Sequence, residues 1–543
     1  MLRIAGGRVY DPANGVAGEE RDLCLSDGKV VDDVPAHAPR IDARGMVVMP
    51  GGVDIHAHIA GPKVNAARRL APEEHREDVV DRTAIMRSGT GGTVPSTFVT
   101  GYRYALLGYT TVVEAATPPL AARHVLGELR DTPMIDALFL LLMGNNLALF
   151  DLIRRDPGRL RDAIAWWLEA TGGYGVKLVN PGGVERWKRA NGNVTSLDDD
   201  VVGITPRRVI DAIAGAVHEL GLPHPVHVHC NNLGVSGNWR TTLDTLRTLE
   251  GRRAHLAHVQ FHSYGGRPGG RPRSRAPELA EYLGAHPEFS ADVGQVMFGP
   301  ATTMTADAPV SALLRDVTGG KWVNADTEVE TGCGIVPFTY REKNYVHALQ
   351  WGIGLELFLL SRDPWRLVLS TDHPNGGSFL SYPRLIRLLM DRAFRNEQLR
   401  RANKRAIQRT VLLDDLDREY TLEEIAIITR AGPARLLGLR DKGHLGVGAD
   451  ADVTIYDERA DREEMFATPR YVIKAGRVVV RDAELVEAVA GDLLRVAAPY
   501  DPAVDDVLRA RFEERYSVQF DSYPVREPWL LEPARRVSAG RSA

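Results

Sequence analysis

The sequence predicts an α/β protein: a (β/α)8 barrel carrying a small β-domain assembled from the two ends of the chain. Three observations lead there. Eight short runs of apolar and β-branched residues recur through the centre, several of them separated by helical patterns. Short β-rich pieces of a different texture occupy both ends. The composition, with 44% apolar and 25% charged residues, is that of a globular chain and excludes extensive disorder. The 543 residues allow roughly three to four domains, or one large barrel with attachments.

Residues 1–49 hold LRIAGGRVYD and MVVMP between Gly, Asp and Pro turns, and the same texture returns at 445–481 in ADADVTIYD and RYVIKAGRVVV. A β-sandwich domain is therefore expected from 1–49 with 439–496. The barrel, 50–438, is read from GVDIHAH (52–58), YTTVVEA (109–115), ALFLLLMG (137–144), YGVKLV (174–179), PVHVHC (225–230), AHLAHVQ (254–260), EFSADV (288–293) and LVLSTD (367–372). The clearest helix is 205–221, where Thr205 caps, Pro206 sits in the first turn and Gly221 stops it. Two stretches exceed ordinary loops: roughly 70 residues between the last two runs, and a C-terminal extension, 497–543. Residues 265–277, GGRPGGRPRSRAP, read as an exposed loop.

Charge and cysteine usage narrow the class. With 67 Lys and Arg against 71 Asp and Glu, the net charge of −4 advertises neither nucleic acid nor an acidic membrane. No apolar run reaches the roughly 18 residues that span a bilayer; the nearest, 137–150, is broken by Gly144, Asn145 and Asn146. MLRIAGGRVYDP lacks the apolar stretch of a secretory signal. Cys24, Cys230 and Cys333 lie far apart without a CxxC pair, so a reducing, cytoplasmic setting is expected.

The chemistry concentrates at the ends of the runs. Side chains on a strand alternate, so His56 and His58 of DIHAH share a face, and two imidazoles side by side suit a divalent metal such as zinc. Lys177 lies inside an apolar run, where its charge must be paired with a barrel carboxylate or removed. Carboxylated by carbon dioxide, it becomes an oxygen donor able to bridge two metals. In PVHVHC, His229 lies nearer the C-terminal end, where barrel active sites are built, and His227 a layer below. Of His255, His258 and His262, the second ends its run and is the expected ligand, the third can line the site from the following loop, and His255 is structural. Asp372 closes LVLSTD ahead of HPNGG; alone it reads as a loop cap or a catalyst, but the ordered set of HxH, Lys, His, His and Asp points to a metal site.

That ordered set resembles the amidohydrolase superfamily, in its subtype with two metals bridged by a carboxylated lysine. VVMPGGVDIHAHI, GHLGVGADADVTIYD and VIKAGRVVV are similar to its flanking β-sandwich strands, so the resemblance covers about 1–490. HAHIAGPKVNAARRLAPEE, HCNNLG, HVQFHSYGG and STDHPNGG narrow it to the family of the A component of formylmethanofuran dehydrogenase, and most of all to its bacterial branch, the hydrolase subunit of a formyltransferase/hydrolase complex. The resemblance implies a (β/α)8 amidohydrolase barrel holding two zinc ions bridged by carboxylated Lys177 and a hydroxide. His56, His58 and Asp372 would serve the first metal, and His229 with His258 the second. It implies hydrolysis of an N-formyl amine to formate and free amine in one-carbon metabolism, with Asp372 moving the proton.

The implied partners are a formyl carrier with a furan head and a glutamate-type tail, a formyltransferase subunit, and further subunits of the complex. Lys63 and Asn65 follow the first run, and Asn231 and Asn232 the fifth; with His262 they are candidate substrate contacts. Arg267, Arg271, Arg273 and Arg275 form a solvated loop or meet the acidic tail. Neither a pterin site nor an iron–sulfur cluster is expected, since three scattered cysteines cannot supply four thiolates. Three alternatives stay open: the A component of an archaeal-type formylmethanofuran dehydrogenase, a cyclic-amide hydrolase of the hydantoinase or dihydroorotase type, and a catalytically silent scaffold subunit.

Overall fold

The computed structural model describes residues 1–190, 192–325, 333–413 and 416–538. Eight strands form its centre: β1 (Gly52–Ala57), β2 (Tyr109–Thr117), β3 (Asp136–Leu142), β4 (Gly175–Val179), β5 (Val226–His229), β6 (Ala254–Leu256), β7 (Phe289–Asp292) and β8 (Leu367–Val368). They pair in chain order and every pairing is parallel. A parallel bridge between Ala57 and His373, with the His58 amide donating to the His373 carbonyl at 2.7 Å, joins the first strand to the segment after the last and closes the ring.

Parallel neighbours require long crossovers, and helices supply them. The helix Pro206–Leu220 begins where the Thr205 side chain accepts from the Arg208 amide and ends at Gly221 in a left-handed turn. Its buried residues include Val209, Ile210, Ile213, Ala214 and Val217, the three-and-four spacing of a face pressed on a sheet. Strand β3, DALFLLL, is buried throughout because one face fills the ring and helices cover the other.

The two chain ends meet as expected. Nine strands drawn from Leu2–Pro50 and Val453–Leu485 form one continuous mixed sheet, in which Met46–Pro50 pairs antiparallel with Val453–Asp457. Ile4, Leu25, Val48, Val453 and Ile455 belong to its own small core. The long stretch before β8 is an antiparallel unit of Gly299–Thr305, Val323–Ala325 and Cys333–Tyr340 with the helix Ala308–Thr318. Near the C-terminus, Leu494–Ala497 pairs parallel with Arg535–Ser538, and Phe512 of the helix Val504–Arg515 packs on Trp167. Among the described residues no helix is long and apolar enough to cross a membrane.

A buried ionic network ties the end sheet to the barrel. Lys474 lies 2.6 Å from Asp136, the first residue of β3, and 2.9 Å from Asp452; Lys442 lies 2.9 Å from Asp450, 3.2 Å from Asp452, and against Asp136. Burial works against ionisation of these carboxylates, but the ammonium groups overcome it and bring Asp450 to about 2 and Asp452 lower still. Because their folded values lie below the unfolded ones, the stability they supply is complete above the ordinary carboxylate range and drains away as pH falls through the folded values. The thermal midpoint should therefore drop between about pH 4 and pH 2. Asp452→Ala, which takes one carboxylate away from two buried ammonium groups and leaves Lys474 with Asp136 alone, should cost about 3 kcal/mol at neutral pH by denaturant unfolding.

Candidate metal centre

Strand alternation turns the His56 side chain of β1 into the ring, and His58, two residues on, faces the same way. The bridge that closes the barrel delivers Asp372 beside them: its Oδ1 lies 3.2 Å from His56 Nε2 and 3.1 Å from His58 Nε2. Lys177 of β4 reaches the same point, with Nζ 2.8 Å from His56 Nε2. From the next two strands come His229, at the end of β5, and His258, just past β6, whose Nε2 is 3.1 Å from His229 Nδ1 and 4.0 Å from Asp372 Oδ2. The six residues read as a ligand set thus converge in one buried cluster.

His262, expected as a substrate contact, joins the cluster as a further imidazole. It lies in the turn Val259–His262, with its ring 5.2 Å from those of both His258 and His229. Two triads result, His56–His58–Asp372 and His229–His258–His262, each able to bring three ligand atoms within 4.8 Å of one another. Both ring nitrogens of His262 and Nδ1 of His258 are buried without a hydrogen-bond partner. Such orphaned donors and acceptors are costly unless something else binds them. Burial also holds His258 and His262 well below the usual imidazole value, so they are neutral, the form that ligates a metal.

Carboxylates hold the far side of three of these rings. Asp292 of β7 lies with Oδ2 2.8 Å from His56 Nδ1 and 3.3 Å from His255 Nε2. Its Oδ1 accepts from the Ser370 hydroxyl at 2.5 Å and the His258 amide at 3.1 Å. Glu114 of β2 lies 3.4 Å from His58 Nδ1 and accepts from the Ile59 and Ala60 amides. Despite burial, the Lys63 ammonium and His58 bring Glu114 down to about 2. Asp307 lies 3.1 Å from His229 Nε2 and accepts from Asn180, whose own amide oxygen accepts from Asn231. One nitrogen of each of these rings is thus oriented and the other left for the centre.

Below this layer His227 and His255 pack around Asp292, in the subordinate positions expected for them. Burial lowers Lys177 to about 8, so a neutral amine is accessible near physiological pH. Asp372 is held well below the carboxylate range against the effect of burial, by His56 and His258.

The loop geometry is strained at His258 and Asp372. His258 and Asp372 have φ of 33° and 49°, in the left-handed region that side chains seldom adopt. Gly294 makes room for both: a Cβ there would stand 2.2 Å from His258 Cβ and 3.6 Å from Asp372 Cβ.

Not every polar residue near the mouth is free. The Lys63 amine is spent on Glu114, at 2.9 Å, and on the Ala116 carbonyl; the Asn65 amide donates to Gly61 and Glu128, and that of Asn232 to Thr241. Asp292 and Glu114 carry the same signal that exposes Lys177, a charge inside an apolar run, and a reading centred on metal ligands overlooks them. Asp307 lies in the long insertion and has no such signal.

Comparison with known proteins agrees with this architecture. Residues 40–480 match the family model described as Amidohydrolase family. Protein FwdA of Methanocaldococcus jannaschii is 45% identical over 97% of each chain. The A component of the formyltransferase/hydrolase complex Fhc of Methylorubrum extorquens is 40% identical over 97% of this chain and 96% of its own. The crystal structure of the FhcABCD complex from that organism with methylofuran superposes with a TM-score of 0.92 at 39% identity, covering 99% of this chain and 100% of the other.

Asp292→Ala should release His56 and the His258 backbone together and weaken divalent-metal affinity about 10- to 100-fold, read by competition against a chromophoric chelator. Unchanged affinity in a folded variant would remove Asp292 from this role.

Proposed function

The chain belongs to the amidohydrolase family, and from that premise we propose that it is the hydrolase subunit of a formyltransferase/hydrolase assembly, releasing formate from an N-formyl amine carrier of the methylofuran type. The observation that carries the reading is the buried convergence of His56, His58, Lys177, His229, His258 and Asp372 around imidazole nitrogens that lack partners.

The residues fit a pair of divalent ions, and a donor set of imidazoles with a carboxylate suits zinc. His56, His58 and Asp372 would hold one, His229 and His258 with His262 the other. Lys177, carboxylated at Nζ, would supply the oxygens between them. When bound, such ions supply a water acidified to near neutrality and a Lewis acid for the formyl oxygen.

Asp372 is the group placed to move the proton. Asn375 donates to its Oδ1 at 2.9 Å, which fixes the carboxylate, while Oδ2 is turned toward His258. It accepts the proton of the attacking water as the new C–O bond forms, then returns it to the leaving nitrogen as the C–N bond breaks, because an amine leaves poorly unprotonated. The products are formate and the free amine. Asp292, Glu114 and Asp307 act through the rings they orient.

By likeness to the Methylorubrum complex, the chain works beside a formyltransferase subunit, together with two further subunits, in the cytoplasm. A second reading, the A component of an archaeal-type formylmethanofuran dehydrogenase, is favoured by the higher identity to the Methanocaldococcus protein. It asks the same hydrolytic chemistry of this site, and the subunits that copurify with the chain distinguish the two.

Asp372→Asn should lower turnover of an N-formyl amine by about 100- to 10,000-fold with zinc retained. Full activity in a zinc-loaded variant would end its proton-shuttling role. Assayed side by side, N-formyl amines should be hydrolysed and hydantoins left intact; the reverse would favour the cyclic-amide alternative.

A further inference from the structure

One layer of the ring is polar across four neighbouring strands. Lys177 of β4 stands opposite His227 of β5, His227 opposite His255 of β6, and His255 opposite Ser290 of β7. Barrel interiors are ordinarily filled by branched apolar side chains, so a polar row must find its partners inside. Three of the four have them. Lys177 reaches up to His56, while His255 uses Nδ1 on the Ser290 hydroxyl at 2.9 Å and Nε2 on Asp292 at 3.3 Å. His227 differs: its Nε2 is buried without a hydrogen-bond partner among the described residues.

One carbonyl settles where the hydrogens lie on these rings. His224, just ahead of β5, has Nδ1 2.9 Å from the carbonyl of Leu436 in the helix Gly432–Leu437. A carbonyl only accepts, so this nitrogen carries a hydrogen. Burial brings His224 down to about 3 and holds His227 well below the usual imidazole value, so each ring is neutral and carries one hydrogen. His224 Nε2 is therefore bare, and it lies 3.1 Å from His227 Nδ1. That contact needs a hydrogen, which only His227 can supply. The Nε2 of His227 is then a bare lone pair, unable to donate to Asp292, whose Oδ2 stands 3.8 Å away. Through two rings, the Leu436 backbone fixes a buried acceptor in the layer of Lys177.

Few donors remain to meet it. His56 gives its Nδ1 hydrogen to Asp292 at 2.8 Å, and His255 Nε2 faces the same carboxylate. The Lys177 nitrogen is left, one strand over in the same register, about 4.8 Å away along the sheet at the backbone. As a free amine it meets His56 Nε2 at 2.8 Å. Once His56 Nε2 serves as a metal ligand, it is lost to Lys177 as an acceptor. A carboxylated amine keeps a single N–H, and a buried N–H without an acceptor is costly. As in a peptide bond, resonance holds that N–H coplanar with the carboxylate, so fixing it fixes where both oxygens point. We propose that His227 is a positioning residue for carboxylated Lys177, its Nε2 accepting the remaining Nζ–H. The proposal rests on the carboxylated bridge put forward above.

Two variants separate this role from packing. His227→Asn can keep a donor toward His224 but places nothing at Nε2, whereas His227→Gln returns an amide to that position. The intact chain is stripped of metal and given zinc with isotopically labelled bicarbonate over a range of concentrations; the carbamate carbon on Lys177 is then read by NMR. His227→Asn should raise the bicarbonate concentration that half-fills Lys177 by about ten-fold or more, and His227→Gln by less than about three-fold. Nitrogen NMR of the parent, which needs no variant, should find the His227 hydrogen on Nδ1 and none on Nε2. Equal labelling of parent and His227→Asn at every concentration, an equal loss in the two folded variants, or a hydrogen on Nε2 in the parent overturns the proposal. In those three outcomes the label on the parent leaves the bridge itself standing. A parent that takes up no labelled carbon overturns the bridge and the role of His227 together.

Discussion

The closed ring of strands takes Lys177, Asp292, Asp372 and the imidazoles around them out of water, and each group so removed must be compensated inside. That requirement explains the layered order of the interior. Asp292 is saturated by two imidazoles, a hydroxyl and a backbone amide, so its charge is tolerated and its neighbours are fixed. Glu114 meets Lys63 and two amides in the same way. Above these satisfied carboxylates the compensation stops, and nitrogens of His258 and His262 are left without partners. A polar cavity saturated from below and unsatisfied at its centre is what a bound cation completes.

Barrel closure and site assembly are one event. The bridge between Ala57 and His373 that ends the ring also sets Asp372 against His56 and His58, although more than three hundred residues separate them in the chain. The cost is local: His258 and Asp372 hold unfavourable backbone angles, which the surrounding packing and the absence of a side chain at Gly294 allow. Groups held this firmly need little reorganisation during a reaction.

Much of this is legible in the sequence because strand geometry is periodic. Alternation alone puts His56 and His58 on one face, and strand ends alone nominate His229, His258 and Asp372. What escapes is whatever periodicity cannot report. Asp307 reaches His229 from an insertion whose path depends on tertiary packing. His262 belongs with the second triad only because the turn after β6 winds it back over His258. Lys63 and Asn65 lie at the mouth by position, yet nearby carboxylates and carbonyls take up their donors. The end domain is legible as strands at both ends of the chain, but which strand pairs with which is a matter of edge pairing, which no local pattern encodes.

Anomalous scattering at the zinc edge, from crystals grown without chelator, tests the centre most directly. The account predicts two peaks, one bounded by His56, His58 and Asp372 and one by His229, His258 and His262, with Lys177 density extending between them. No peak among these residues, or Lys177 ending in a plain amine paired to a carboxylate beside a single ion, would contradict it.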